Sequence, residues 1–261
     1  MDFHPVEQNL RQSFRALASE RPGATTAELP GVSIVCLGVR FQMFNAAFLS
    51  GPVENSDVLE ARLEAASQYF REAGHAWSFW FCDDWLPWLV RRRLSRVCGP
   101  FGLRLAAEMP GMIAGELTRA SRAVPKLEIR RVSTVQELGG FRGVGAMCFR
   151  VPPDWFSEVF DSRATTRSDF ECWIASLNGE PVATAASVSC AGAIGLYNIA
   201  TMPEFRGRGI GEAVTRFVAE DARSRHGHLP LVLQATAMGQ GLYTRLGFRP
   251  VTRILAYTNT R

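Results

Sequence analysis

An apolar, strand-like run from Ala193 to Thr201 leads through Pro203 into Arg206-Gly207-Arg208-Gly209-Ile210-Gly211. Apolar residues then recur at helical spacing, at Ile210, Ala213, Val214, Phe217 and Val218. This strand, glycine loop and helix start constrains the chain more than any other stretch. Glycines let a backbone approach a ligand closely, successive N–H groups point inward, and the helix dipole adds partial positive charge. The result is a site for anionic oxygens, with Arg206 and Arg208 beside it. Spacing excludes two other glycine motifs. A P-loop needs a lysine after its last glycine, and none is here. A dinucleotide fingerprint needs G-x-G-x-x-G, and after Gly207 and Gly209 the third position is Glu212.

What remains is R-x-x-G-x-G, at Arg206, Gly209 and Gly211, between a strand and an amphipathic helix. It resembles the coenzyme A pyrophosphate loop of the GNAT acyltransferase superfamily. A second block, Leu231–Thr236, Gly239 and Leu242-Tyr243-Thr-Arg-Leu-Gly247-Phe248, is similar to the last motif of that family, at the usual distance downstream. The resemblance implies an α/β (α+β) fold, a mixed and mostly antiparallel sheet flanked by helices. It implies acetyl-CoA as co-substrate, no metal, and direct transfer of an acetyl group to a primary amine of a small molecule or peptide. Phosphate binding would fall to Arg206, Gly207, Arg208, Gly209, Ile210 and Gly211. The glycine-loop strand would splay from its neighbour, so that Ile199, Ala200 and Thr201 offer backbone to pantetheine. Thr236 and Gly239 would complete the coenzyme site.

Acyl transfer from a thioester to an amine poses two proton problems. An alkylammonium of pKa ~10.4 must lose a proton, at a cost of roughly 4.6 kcal/mol at pH 7, and a thiolate of pKa ~8.5 must gain one. The family's tyrosine near the sulfur corresponds to Tyr243. Free tyrosine, at ~10, is a weaker acid than the thiol, so Tyr243 needs a lowered pKa or acts as a hydrogen-bond donor to the developing thiolate. Two positions depart from the family. Many members carry a carboxylate base where this chain has Gly195, and many carry an Asn where it has Ala237. Tyr197, two residues beyond Gly195 and on the same strand face, is the candidate to orient a water. Glu204, the nearest carboxylate in sequence, reads as a solvated turn residue.

At 261 residues one large or two modest domains are expected. Halves at 1–125 and 126–261 fit a weak internal likeness. Strand 76–82, helix 85–97, a Gly/Phe turn and a strand match strand 231–235, helix 239–246, Gly247-Phe248 and a strand. The first half looks like a divergent GNAT domain, with Ser50–Ser56 in place of the glycine loop; Pro52 and Glu54 there suit a pyrophosphate poorly. One coenzyme site per chain is expected. Residues 110–125 read as the connection between halves, Asp57–Glu60 as a helix capping box, Asn178-Gly179 as a hairpin turn, and Val251–Tyr257 as a strand closing the sheet.

Lys+Arg total 29, of which Lys126 is the single lysine, leaving 28 arginines. Schiff-base and pyridoxal mechanisms need a placed lysine, and Lys126 stands at the expected junction. The run Arg91-Arg92-Arg93-Leu-Ser-Arg96 reads as a solvated helix face rather than a nucleic-acid surface. Six scattered cysteines lack metal spacing, no run approaches the ~20 apolar residues of a membrane span, and residues 1–20 carry charges throughout. A cytoplasmic, metal-free enzyme without nucleic-acid or membrane partners is expected, of open oligomeric state. The rival reading is a non-catalytic acyl-CoA sensor or scaffold, motivated by Gly195.

Overall fold

The structure, a computed structural model, describes residues 3–120, 125–162 and 169–259. Helix α1 (His4–Ser19) precedes β1 (Thr25–Leu29), β2 (Val32–Cys36), β3 (Asn45–Leu49), α2 (Ser56–Ala73), β4 (Ser78–Cys82), α3 (Trp88–Cys98) and β5 (Leu103–Ala114). There follow β6 (Glu128–Arg131), α4 (Val135–Phe149), α5 (Pro153–Val159), β7 (Glu171–Leu177), β8 (Glu180–Cys190) and β9 (Ala193–Thr201). The last elements are α6 (Ile210–His226), β10 (Leu231–Gln234), α7 (Gln240–Arg245) and β11 (Arg249–Asn259).

Local chemistry accounts for the boundaries. The α1 stripe buries Val6, Leu10, Phe14 and Leu17. Helix α2 is capped by Asn55, whose side chain accepts from Val58 N, rather than by the expected box at Asp57–Glu60. Asn tolerates the extended Ncap geometry and lies two residues earlier. Thr134 and Glu137 make a reciprocal capping box for α4. At the β7–β8 hairpin, Asn178 and Gly179 both have positive φ (52° and 82°), as a tight two-residue turn requires. In α3, Val90, Leu94, Val97 and Cys98 are buried, while Arg91, Arg92, Arg93 and Arg96 are exposed.

Among the described residues the strands form one sheet in the order β1-β2-β3-β4-β11-β5-β10-β9-β8-β7-β6. The order is nearly symmetric about the β11–β5 pair. On one side β3 runs parallel to β4, and on the other β9 runs parallel to β10. The two central strands are exchanged. β5, from the first half, pairs antiparallel with β10 through Leu231–Gln234. β11, last in chain order, pairs antiparallel with β4 through Ile254–Thr258. Each half therefore completes its sheet with a strand of the other. Two expectations change accordingly. Residues 110–114 of the supposed connection are strand, and 121–124 lie outside the described residues. The final strand sits at the centre of the sheet, not at its edge.

Both sheet faces are covered. On one, α1, α4 and α5 share a single core that runs across both halves, from Phe14, Phe48 and Trp80 to Phe141, Phe156 and Phe170. On the other, α2 and α3 cover the first half (Leu63, Phe70, Phe79, Leu94). There α6 and α7 cover the second (Val214, Val218, Leu233, Leu246). The described cysteines are all free. No described helix is long and apolar enough to cross a membrane.

Candidate active site

The pairing of β9 with β10 covers only Ile194 and Gly195 against Leu231 and Val232. Beyond that point β9 continues to Thr201 while β10 continues to Gln234, and the strands part. At Asn198, with φ of 51°, the register of β9 against β8 shifts between Thr184 and Ala186. This bulge bends β9 away from β10. Thr184 secures it by donating from Oγ1 to Asn198 O at 2.8 Å. The parting opens a cleft of about 730 Å3, bordered by Leu196–Thr201, Leu233, Gln234, the loop residues Arg206, Gly207, Gly209, Ile210 and Gly211, and the start of α7.

The cleft brings together Tyr197, Ile199, Ala200, Thr201, Arg206, Gly207, Gly209, Ile210, Gly211, Thr236, Gly239 and Tyr243. Of the anticipated residues only Arg208 lies off it: its guanidinium stacks 5.1 Å from the Phe205 ring and donates to Glu204 O. Gly207 and Gly209 adopt positive φ (75° and 82°), a conformation that side chains other than Asn or Asp strain to reach. Gly209 is the Ncap of α6, and no side chain caps that helix. Its first N–H groups are thus left for a ligand or water. Arg206 packs the loop by donating from Nε to Thr201 O at 3.0 Å.

Tyr243 is buried in the cleft wall, edge-on to Phe248 with ring centroids 5.9 Å apart. A Cβ on Gly239 would approach its ring to 3.0 Å. Burial pushes its pKa up, so the hydroxyl keeps its proton at neutral pH.

Tyr197 is placed differently from expectation. Its hydroxyl donates to Asn9 Oδ1 at 2.6 Å, and burial raises its pKa as well. A phenol so engaged ties α1 to β9 instead of orienting a water in the cleft. Asn9, fully buried, donates in turn from Nδ2 to the carbonyls of Val188, Cys190 and Ala193 at 3.0–3.2 Å. This pair also accounts for Gly195. A Cβ there would lie 1.9 Å from Asn9 Oδ1 and 2.5 Å from Tyr197 Cε2. The position that resemblance associates with a carboxylate is filled from the first half. Asn9 was missed because a polar residue on an otherwise apolar helical stripe carries no motif.

The first half shows a different arrangement at the equivalent place. The loop after β3 is held by Arg62, which donates to Gly51 O and Pro52 O, both at 2.9 Å. The N-terminus of α2 is already capped by Asn55. Among the described residues, no cluster of three or more His, Cys, Asp and Glu could hold a metal.

Comparisons with known proteins agree with this geometry. The family description "Acetyltransferase (GNAT) domain" matches residues 168–250. Among solved structures, a GCN5-related N-acetyltransferase from Kribbella flavida aligns with a TM-score of 0.70 at 16% identity, over 98% of this chain and 96% of that one. Another GCN5-related N-acetyltransferase, from Sphaerobacter thermophilus, aligns with a TM-score of 0.57 at 13% identity, over 99% and 92%. A tandem GNAT protein from the clavulanic acid biosynthesis pathway aligns with a TM-score of 0.54 at 10% identity, over 98% and 94%. No curated protein matches. Residues 168–250 thus belong to the GNAT acetyltransferase family, and the chain as a whole has the two-domain GNAT fold. The family supports acyl transfer as the general chemistry.

Proposed function

We propose that this protein is a cytoplasmic N-acetyltransferase that moves the acetyl group of acetyl-CoA directly to a primary amine, with units at 1–125 and 126–261 that exchange their last strands. The observation that carries the reading is the parting of β9 from β10 into an uncapped helix start with two left-handed glycines. Coenzyme phosphates would take the N–H groups of Gly207–Gly211, beside Arg206, with Arg208 supporting the loop. Pantetheine would lie along Ile199–Thr201 and reach past Thr236 and Gly239. The amine nitrogen forms a bond to the acyl carbon as the C–S bond breaks, and the ammonium proton leaves to solvent. Tyr243 donates a hydrogen bond to the departing thiolate, and Tyr197 acts by position only, holding β9 through Asn9. Arg62 and Asn55 fill the equivalent place in the first half, which favours one coenzyme per chain.

Gly209→Asp tests the loop, because aspartate tolerates positive φ while placing a carboxylate against the pyrophosphate. Stabilisation of the wild type by acetyl-CoA in a thermal melt should vanish in the variant while its own melting stays cooperative. Equal stabilisation of the two proteins would show the loop to be misassigned. A second reading, an acyl-CoA sensor without turnover, is motivated by the filled Gly195 position. It predicts the same stabilisation but no acetylated product over a panel of amines.

A further inference from the structure

The described residues bordering the cleft carry an unequal set of charges. Arg150, Arg206 and Arg245 are cationic, and Glu212 is the one acid among them. Glu212 is already committed, its Oε1 accepting from Arg216 Nε at 3.0 Å and Nη2 at 2.9 Å. Arg206 and Arg245 are occupied by backbone carbonyls, Thr201 O and Gly241 O. Arg150 stands apart. It ends α4 in the left-handed region, at φ 56°, and makes no ion pair with a described carboxylate. Helix α4 packs in the core on the sheet face opposite α6 and α7. Arg150 therefore borders the cleft from the side away from the helix that faces the coenzyme phosphates.

A cleft whose border carries an unpaired guanidinium and no free carboxylate repels a polycation and complements an anion.

Resting on the acetyltransferase reading above, we propose that the acceptor is an amine that also bears a carboxylate or comparable anionic group, and that Arg150 pairs with this group. The cationic surroundings also lower the pKa of an incoming ammonium, which aids its deprotonation where no carboxylate base is present. Diamines and polyamines lack the anion and add a charge that the cleft repels.

Matched acceptor pairs test this: phenylalanine against 2-phenylethylamine, and ornithine against 1,4-diaminobutane, each with acetyl-CoA. Thiol release and product mass are followed, and acetyl-CoA binding is measured separately by thermal shift. The carboxylate-bearing member of each pair should have a kcat/KM higher by roughly tenfold or more, the scale of one charge-assisted contact. Arg150→Glu should abolish or invert that preference with acetyl-CoA stabilisation unchanged, and Arg150→Lys should retain most of it. Better turnover of the decarboxylated amines, or an unaltered preference in Arg150→Glu, overturns the inference. So does acetyl-CoA binding with no acetylation of either series. Absence of acetyl-CoA stabilisation in the wild type would instead overturn the acetyltransferase reading on which it stands.

Discussion

Tyr243 keeps its proton because burial disfavours the phenolate, which favours the donor role proposed for it over that of an acid with a lowered pKa. As a hydrogen-bond donor it should give no alkaline loss of rate through pH 9.5. The single-turnover rate should rise over that range as the amine acceptor deprotonates. Tyr243→Phe retains the ring against Phe248, so coenzyme binding should hold while the single-turnover rate falls by roughly 10²–10³-fold, the usual loss for one placed donor. An unchanged rate would remove the hydroxyl from the chemistry. Glu7 is a second buried titrating group, on α1. Burial raises its pKa above the ordinary 4.5 despite the neighbouring Arg11, and Oε2 has no partner. A raised folded pKa gives stability that is full below the unfolded pKa and is lost as pH rises through the folded value. Glu7→Gln should therefore raise Tm at pH 7–8, with the gain gone by about pH 4. A lower Tm at neutral pH would show that the Arg11 pair outweighs burial. The tyrosine was legible because it stands in a motif; the glutamate was not, since helical spacing alone does not reveal what desolvates a side chain.

At the scale of elements, α1 and β9 are joined by a close fit. Gly195→Ala should cost about 1–3 kcal/mol through overlap with Asn9 and Tyr197. Asn9→Ala should cost about 3 kcal/mol by leaving carbonyls unpaired. In the double variant the penalties should fall short of their sum by about 1 kcal/mol or more, as read from denaturant unfolding. Strict additivity would mean that the two residues do not share the space. Several elements were legible from local signals, among them the Asn178-Gly179 turn and the glycine loop between strand and helix. Strand β5 was read too short because Pro110 and Gly111 look like breakers. Their tolerance comes from β11 and β10, with Pro110 opposite Arg253 and Gly111 opposite Gln234. The bulge at Asn198 was hidden for a similar reason, since β8 fixes it from outside the strand.

For the whole molecule, the likeness between the halves was visible in the order of strand, helix and Gly/Phe turn. The exchange of β5 and β11 was not, because partner choice in a sheet depends on distant residues. Residues 126–261 produced alone would lack β5 between β10 and β11, and would lose the α1 cover of β9. This fragment should be insoluble or associate with itself, and co-production with 1–125 should restore a soluble complex that acetyl-CoA stabilises. A monomeric, cooperatively melting 126–261 fragment would show that the exchange is dispensable. The central place of β11 also has a consequence for synthesis. On the ribosome, β4 and β5 emerge long before the strand that belongs between them. Until residues 249–259 arrive, the growing chain carries two open strand edges facing a gap one strand wide, the kind of surface that invites unwanted pairing. Neither unit can close early and wait for the other, so a premature stop upstream of residue 249 leaves no intact half.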